Sequence, residues 1–382
     1  MVAAIRRGVS ERAVARRFQK SRAMVRRWVK RADGQRLSRV NWSDAPRGNP
    51  RPARTAARME RSILRLRIWL RRHSALGECG DAAIHTALLQ AGQRPPCVRT
   101  IARVLARHHQ GRVQRVRRLP PPPGWYLPEV AAGAAELDSF DFVAGLAFRG
   151  QRTFDVLTAI SLVGGLAAAW PLYPGATLPA TQRCITEHWR TWGLPPFVQY
   201  DNDSIFQGSH GHSHHLGRLV HFCLCLGVSV VFAPPREQGF QNKLESFNAL
   251  WQQKVWLRHF HRSPAQLAQR NLAFLHAHRT KHALRIDAAP PRCPFPATIP
   301  RVLGLGRVVL LRRANASAEL NLLGSTLRLP SASAHRLFRC DWQPATAQVT
   351  ITALHRRDPA HQPVILQHHV PINLTSWFSL PR

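Results

Sequence analysis

Three carboxylates in the central part of this chain have the residue types and spacing of a divalent-metal site. Asp138 lies inside an apolar stretch, Asp201 directly follows a short apolar run, and Glu245 lies in a helical pattern. Hard cations such as Mg²⁺ and Mn²⁺ prefer anionic oxygen ligands, and a pair of ions roughly 3.5–4 Å apart needs carboxylates that converge from separate elements. The three residues therefore predict a two-metal site that activates a water or a 3′ hydroxyl for phosphodiester transfer.

Two of these assignments have competitors in the same stretches. Asp141 lies three positions after Asp138 in one strand pattern, so the two side chains should point to opposite faces of the sheet. Asp138 is preferred as the ligand. Glu237 competes with Glu245, although its pattern is that of a loop before the helix. Asp203 is interpreted as a surface turn residue.

A histidine-rich segment between Asp201 and Glu245 offers another kind of ligand. Four histidines have a spacing that could bind a transition metal: His210, His212, His214 and His215. A solvated loop is the preferred explanation, and metal binding stays an open alternative.

The charge balance indicates the class of partner. The 382 residues include 55 Lys and Arg against 20 Asp and Glu, a formal net charge of +35. A protein with such an excess is expected to bind a polyanion, and nucleic acid is the commonest one. A basic RNA-binding protein would share this bias, but the helical patterns at the N-terminus favour DNA.

Cysteine usage and hydropathy indicate the cellular compartment in which the protein is expected. The seven cysteines are scattered and include no CxxC pair, so neither a disulfide framework nor a zinc knuckle is predicted. No apolar signal segment follows Met1, and the most apolar run, 156–172, is interrupted by two glycines and is too short for a membrane span. We expect no membrane partner and a cytoplasmic, nucleoid-associated protein.

Two helix-turn-helix units are predicted ahead of the carboxylates. In 1–43, Ser10 and Ser21 are candidate N-caps of two short helices, and the second helix is basic. A similar helical pattern covers 59–110. The predicted DNA-contacting residues of both units are Arg22, Arg26, Arg27, Lys30, Arg99, Arg103 and Arg107.

The remaining patterns make the chain a multidomain protein. Strands and helices alternate over 131–285 in the order β-β-β-α-β-α-β-α, which indicates an α/β ribonuclease-H-like core with helices on both faces of a mixed sheet. Short β-rich runs over 304–357 predict a small all-β barrel. The predicted linkers are 44–58, 111–130 and 286–303, and the tail 358–382 has no clear period.

The motifs LDSF, VQYDNDSIF and PPREQGFQNKLESFN, with two helix-turn-helix units ahead of them, resemble the transposases of bacterial insertion sequences that have a retroviral-integrase-type (DDE) core. The resemblance covers nearly the whole chain. It implies that Asp138, Asp201 and Glu245 bind Mg²⁺ or Mn²⁺ and catalyse nicking and strand transfer. It also implies double-stranded DNA partners, namely transposon ends and target, and a homo-oligomer, because strand transfer joins two ends.

The chain departs from the family pattern next to two of the carboxylates. The family usually has Asn-Gly after the second Asp and ahead of the Glu, whereas this chain has Asn202-Asp203 and Asn242-Lys243. Glycine permits positive φ or a close backbone approach, which Asp and Lys accept less readily. The alternative function is therefore a catalytically inactive DNA-binding protein, either a repressor or a decayed copy.

Overall fold

The chain divides into two compact units, Met1–Ala57 and Arg58–Arg382. The computed structural model describes residues 1–43, 55–108, 124–149, 152–209, 213–235, 237, 239–356, 358–359 and 361–375. Most of the predicted linkers 44–58 and 111–130 lies outside these described residues.

The first unit contains three short helices: α1 (Val2–Arg6), α2 (Glu11–Arg17) and α3 (Arg22–Arg31). The hydroxyl of Ser10 accepts a hydrogen bond from the Ala13 amide at 3.3 Å, and Ser21 caps α3 in the same way at 3.2 Å. These are the predicted N-caps, each of which stabilises its helix by about 1 kcal/mol. Val14 and Val25, both fully buried, join α2 to α3.

Three further helices open the second unit: α4 (Ala57–His73), α5 (Asp81–Gln90) and α6 (Val98–Arg107). Ile63, Ile84 and Ile101 are fully buried between them. The guanidinium of Arg258, from the core, donates to the carbonyls of Arg72 and Ser74 at 2.7 and 2.9 Å. This helical group is therefore bonded to the core through backbone acceptors at the end of α4.

The core region has the predicted element order, with small additions. Its strands are β1 (Leu137–Ala147), β2 (Thr153–Ser161), β3 (Ala167–Leu172), β4 (Phe197–Tyr200), β5 (His215–Leu216) and β6 (Ser229–Phe232). Its helices are α7 (Pro128–Ala131), α8 (Leu178–Trp192), α9 (Ser204–Gln207), α10 (Arg218–Cys225), α11 (Asn242–Trp251), α12 (Pro264–Lys281) and α13 (Ala283–Asp287). The short α9 and β5 lie between β4 and α10.

The core strands pair in the order β3-β2-β1-β4-β6, antiparallel from β3 to β1 and parallel from β1 to β6. Helices cover both faces. On one face Phe140 and Tyr200 pack with Trp189 of α8, and on the other Val143 shares an apolar cluster with Leu244 of α11. Successive side chains of a strand point to opposite faces, so each position along β1 belongs to one of these two layers.

The C-terminal strands extend this same sheet. They are β7 (Val308–Arg313), β8 (Glu319–Leu322), β9 (Ser325–Arg328), β10 (Leu337–Gln343), β11 (Gln348–Ala353), β12 (Val364–His369) and β13 (Asn373–Leu374). Strand β7 pairs in parallel with β6, and β10, β11 and β12 follow in antiparallel order. The described residues thus form one nine-stranded sheet from β12 to β3.

The prediction of a separate small barrel over 304–357 is therefore wrong. The four residues from Val308 to Leu311 are all fully buried, so β7 is covered on both faces. A strand buried on both faces belongs in the interior of a sheet, where its backbone groups pair on both sides. The tail that showed no period contains β12 and β13, and β13 pairs with β5.

Candidate active site

The parallel register of β1 and β4 brings two carboxylates to one level of the sheet. Asp138 pairs with Val198 and Ser139 with Gln199. The same offset places Asp141 level with Asp201, which directly follows β4. Ligand sites in sheets of this kind form outside the carboxyl ends of the parallel strands. Asp201 therefore has Asp141 as its neighbour on β1.

Helix α11 is fastened to Asp141 by a side-chain network. The Asn248 amide donates to the Asp141 carboxylate at 2.9 Å, and the Thr158 hydroxyl donates to the Asn248 carbonyl oxygen at 2.6 Å. Thr158 is the cross-strand partner of Asp141 on β2. Because the Thr158 hydroxyl is hydrogen-bonded to the amide oxygen of Asn248, the amide nitrogen of Asn248 points to the Asp141 carboxylate.

Glu245 is carried to the same end of the sheet by this helix. It lies three positions before Asn248, and residues at that spacing share one face of a helix. Glu245 is exposed and Asn248 is buried, so the glutamate lies on the solvent side of the contact between α11 and the sheet. The structure thus brings together Asp141, Asp201 and Glu245.

The electrostatics agree with this grouping. The pKa of Asp141 is raised to about 6, mainly by burial; the charges of Asp201 and Glu245 add to the rise, and the hydrogen bonds from Phe142 and Asn248 oppose it. Burial also raises the pKa of Asp201, to which the charge of Asp203 contributes. Like-charged carboxylates disfavour one another's ionisation, and a divalent cation between them reverses that effect.

The donor set suits a hard cation. Carboxylate oxygens from β1, from the end of β4 and from α11 are the ligands that Mg²⁺ and Mn²⁺ prefer. Among the residues that the structure describes, no group of three or more His, Cys, Asp or Glu side chains is arranged to hold a metal ion. The charges of Asp201 and Glu245 thus act on Asp141, but the three carboxylates are not arranged as a metal-binding cluster.

Asp138 lies elsewhere, on the opposite face of the sheet. Its two oxygens accept from the Arg292 guanidinium at 2.6 and 2.9 Å, from the Ser161 hydroxyl at 2.7 Å and from the Trp189 indole at 3.1 Å. Burial alone would raise the pKa of Asp138, but the ion pair with Arg292 holds it below its usual value. The structure does not bring Asp138 to Asp201 and Glu245, and the alternation along β1 that separates it from Asp141 is the reason.

Glu237, the competitor of Glu245, has a different partner. Its two oxygens accept from the Arg313 guanidinium at 2.5 and 2.7 Å. This bidentate pair joins the loop before α11 to β7, so the carboxylate of Glu237 is engaged in a structural contact.

Asp203 and Lys243, at positions where the transposases that the sequence resembles usually have glycine, both fit their backbone. Asp203 has φ −60° and caps α9, accepting from the Ile205 amide at 2.8 Å, while its own amide donates to Asp201 at 3.0 Å. Lys243 lies in the first turn of α11 and donates to the Leu162 carbonyl. Burial and the neighbouring Arg285 lower the pKa of Lys243 to about 8. Neither position has positive φ, so neither needs glycine.

The basic residues predicted to contact DNA lie on helix surfaces. Exposed side chains are found at all seven positions, Arg22, Arg26, Arg27, Lys30, Arg99, Arg103 and Arg107. Two of them form ion pairs, Arg26 with Glu11 at 2.7 Å and Arg107 with Glu60 at 2.5 Å.

The histidine-rich segment is only partly described. His210 and His212 lie outside the described residues. His214 lies 3.2 Å from the Ser325 hydroxyl, and His215 lies 3.2 Å from the Thr375 hydroxyl. These two adjacent histidines contact hydroxyls of different C-terminal segments.

The sequence reasoning missed Asn248, Thr158 and Arg292 as residues that organise the site and its surroundings. The spacing of Asn248 from Glu245 was a usable signal, because it places an amide on the glutamate's helix face. Thr158 and Arg292 had no comparable signal, since their contacts join segments far apart in the chain.

Comparison with known proteins finds no sequence match and only weak structural similarity. No family model and no curated protein sequence matches it. A chain of the simian T-cell lymphotropic virus intasome in complex with PP2A regulatory subunit B56 gamma is 13% identical, with a TM-score of 0.34, and the match covers 79% of this chain and 98% of that one. The catalytic core domain of BIV integrase is 15% identical, with a TM-score of 0.25, covering 38% of this chain and 81% of that one. Structural similarity at this level does not assign a function, and the description of the fold rests on the observed strand order.

Proposed function

We propose that this protein is a DNA transposase or integrase that nicks DNA ends and transfers the cut strand with the help of Mg²⁺ or Mn²⁺. The observation that carries the proposal is the grouping of Asp141, Asp201 and Glu245 at one end of a mixed sheet with the predicted ribonuclease-H-like element order. Metal-dependent phosphodiester transfer needs carboxylates placed in this way.

In this proposal Asp141, Asp201 and Glu245 hold the metal. Bound ions would activate a water or a 3′ hydroxyl of the DNA and would stabilise the leaving oxygen. Asn248 holds the Asp141 carboxylate in place, and Thr158 keeps the amide of Asn248 turned towards it. Asp138, which is engaged by Arg292, has no part in the chemistry.

DNA recognition is assigned to the helices ahead of the core. α2 and α3 are joined by the four residues 18–21, α5 and α6 by the seven residues 91–97, and α3 and α6 carry the exposed basic residues. The first pair has the turn length of a helix-turn-helix unit, whose second helix enters the major groove of double-stranded DNA, and the second pair is proposed to act in the same way. Transposon ends and target DNA are the proposed partners, and joining two ends calls for a homo-oligomer. An insertion sequence of bacterial origin is the proposed source of such an enzyme.

The test is nicking of a supercoiled plasmid that carries the coding region with its flanking DNA. Wild type should nick it in Mg²⁺ and not in EDTA, and Asp141→Asn and Asp201→Asn should each reduce the rate by at least about 100-fold, because each removes a charged ligand. Asp203→Asn is the matched control, since Asn caps a helix as well as Asp does, and it should retain nicking. Wild type that nicks no faster than Asp201→Asn would exclude the enzyme.

The second candidate is a DNA-binding protein without catalysis. It is favoured by one observation, that the described residues contain no group already arranged to hold a metal ion. This candidate predicts that the protein binds the same flanking DNA in EDTA and does not nick it with any metal. A gel-shift measurement together with the plasmid test distinguishes this candidate from the transposase.

A further inference from the structure

A cavity of about 280 Å³ lies between the loop that leads into α11 and the C-terminal strands. Trp125, Phe240, Leu337 and Leu354 line its apolar side, while Arg336 and Arg356 lie at its charged side. This volume lies just below the roughly 300–1,000 Å³ of usual small-molecule sites, so the cavity admits at most one nucleotide unit and excludes a duplex.

The cavity carries uncompensated positive charge. Arg313 also lines it, but its guanidinium is paired with Glu237. Arg336 and Arg356 are exposed, and neither forms an ion pair with a carboxylate among the residues that the structure describes. Two arginines in this state are suited to a phosphate group, whose oxygens accept several guanidinium hydrogen bonds at once.

Two aromatic side chains lie on the apolar side of the cavity: Trp125, which is 4% exposed, and the partly buried Phe240. The rings of Trp125 and Phe240 have centroids 6.0 Å apart, and Phe240 also contacts Tyr126 at 5.7 Å. The hydroxyl of Tyr126 donates to the Gln199 side chain at 2.7 Å, which ties this group to β4. Aromatic rings beside arginines form the usual binding surface for an unpaired base and its phosphate.

The cavity adjoins the carboxylates through a short connection. Phe240 lies two residues before the start of α11, the helix that carries Glu245. Gly239 has φ +94°, and a β-carbon built there would lie 3.7 Å from the Arg356 guanidinium. The chain therefore turns directly from the cavity into the helix of the site.

We propose that this cavity binds an unpaired nucleotide of the DNA strand that is processed at Asp141, Asp201 and Glu245. Arg336 and Arg356 bind its phosphate, and its base lies against Trp125 and Phe240. This inference rests on the proposed function for the identity of the strand, and the binding itself is measured without catalysis.

The experiment measures binding of the full chain in EDTA to two fluorescent duplexes of the same sequence, one blunt and one with a short single-stranded overhang. The variant is Arg336→Gln/Arg356→Gln. The matched control is Arg183→Gln/Arg190→Gln, which removes two exposed arginines from α8 and hence the same charge. Thermal denaturation checks that both variants fold.

The expected result is that the wild type prefers the overhang duplex and that the cavity variant loses this preference by roughly tenfold or more, as expected for lost hydrogen bonds to a charged group. For the overhang duplex, the slope of the logarithm of the binding constant against the logarithm of the salt concentration should also become less steep by about 0.7. This is the value for one single-strand phosphate contact. The control should weaken both duplexes alike.

An unchanged preference in the cavity variant overturns the proposal, as does a wild type that binds both duplexes equally. Because no metal is present, these outcomes do not depend on nicking. A protein that prefers the overhang through Arg336 and Arg356 but never nicks DNA would refute the proposed enzyme and leave the nucleotide site standing. Arg356→Glu should abolish the preference completely, since it reverses the charge at the phosphate.

Discussion

At the scale of single residues, the site depends on which of two aspartates in β1 faces α11. Asp141 has a raised pKa and an amide partner from α11, whereas Asp138 is neutralised by Arg292. Side chains three positions apart on a strand point to opposite faces, so this spacing separates the partly buried Asp141 carboxylate from the fully buried Asp138, which is paired with Arg292.

Replacement of Asp141 by Asn should stabilise the protein near neutral pH. The folded pKa of about 6 lies above the usual value, so ionisation of Asp141 opposes folding. That cost is absent at low pH, grows as the pH rises from about 4 to 6 and is complete above the folded pKa. Urea unfolding should show Asp141→Asn more stable than wild type by about 1–3 kcal/mol at pH 7.5 and by much less at pH 4.5.

Mg²⁺ should reverse the order of stability of wild type and Asp141→Asn. Because a ligand that binds only the folded state stabilises it, saturating Mg²⁺ should raise the melting temperature of wild type at pH 7.5. Asp141→Asn should show a much smaller rise. Equal shifts in the two proteins would mean that the metal binds elsewhere, and Asp203→Asn serves as the control with a wild-type response.

Thr158→Val should impair nicking more than it impairs folding. The valine has nearly the same shape but leaves the Asn248 amide free to rotate away from Asp141. We expect the nicking rate to fall roughly 10-fold or more and the free energy of unfolding by about 1–2 kcal/mol. Thr158→Ser keeps the hydroxyl and should restore the rate. Slow nicking in both variants would contradict the role of the hydroxyl.

At the scale of elements, the Arg292 segment ties β1 and β2 to α8 on the face opposite the site. Arg292 contacts Asp138 of β1, Ser161 of β2 and the Gly193 carbonyl that follows α8. Backbone pairing between Leu194 and Cys293 continues the connection. The segment predicted as a linker over 286–303 is thus bonded to the core.

Removing one partner of the Asp138–Arg292 ion pair should destabilise the fold without changing the response to metal. Arg292→Met leaves Asp138 buried without its cation and should cost about 3–5 kcal/mol in urea unfolding. The double variant Asp138→Asn/Arg292→Met removes both charges and should recover much of this loss. If Asp138 has only a structural role, the folded double variant should still nick DNA in Mg²⁺. A double variant that is stable but does not nick DNA would show that Asp138 takes part in the reaction.

At the scale of the whole molecule, the core and the C-terminal strands share one sheet within one compact unit. Strands β7, β10, β11 and β12 continue the sheet beyond β6, and the aromatic cavity lies where they meet the loop before α11. The described residues contain no helix long and apolar enough to cross a membrane. The first unit, Met1–Ala57, is compact by itself.

Removal of the C-terminal strands should therefore unfold or aggregate the core. A fragment of 124–303 would expose the edge of β6 and the apolar side chains that now cover β7, and an unpaired apolar edge promotes aggregation. A fragment of 124–375 keeps the buried Trp125 and Tyr126 and should stay monomeric or form a defined oligomer with cooperative unfolding. Size-exclusion chromatography and circular dichroism compare the two fragments, and a well-folded 124–303 would contradict the single-sheet architecture.

The sequence by itself determined most of the elements and indicated candidate carboxylates for the site. Periodicity located the helices and the core strands, serine caps marked the N-terminal helices, and an excess of arginine indicated a polyanionic partner. Asp201 and Glu245 were identifiable because each carboxylate directly follows or interrupts an apolar pattern. These features are local, since they depend on residues a few positions apart.

Only the tertiary structure decided between Asp138 and Asp141, and between a separate barrel and an extended sheet. Alternation along β1 separates the two aspartates but does not say which face α11 covers; that depends on where Leu244 and Asn248 pack. The apolar run of β7 is equally compatible with a barrel or a sheet interior, and its pairing with β6 settles the matter. Long-range packing and strand pairing, which local patterns do not encode, made both decisions.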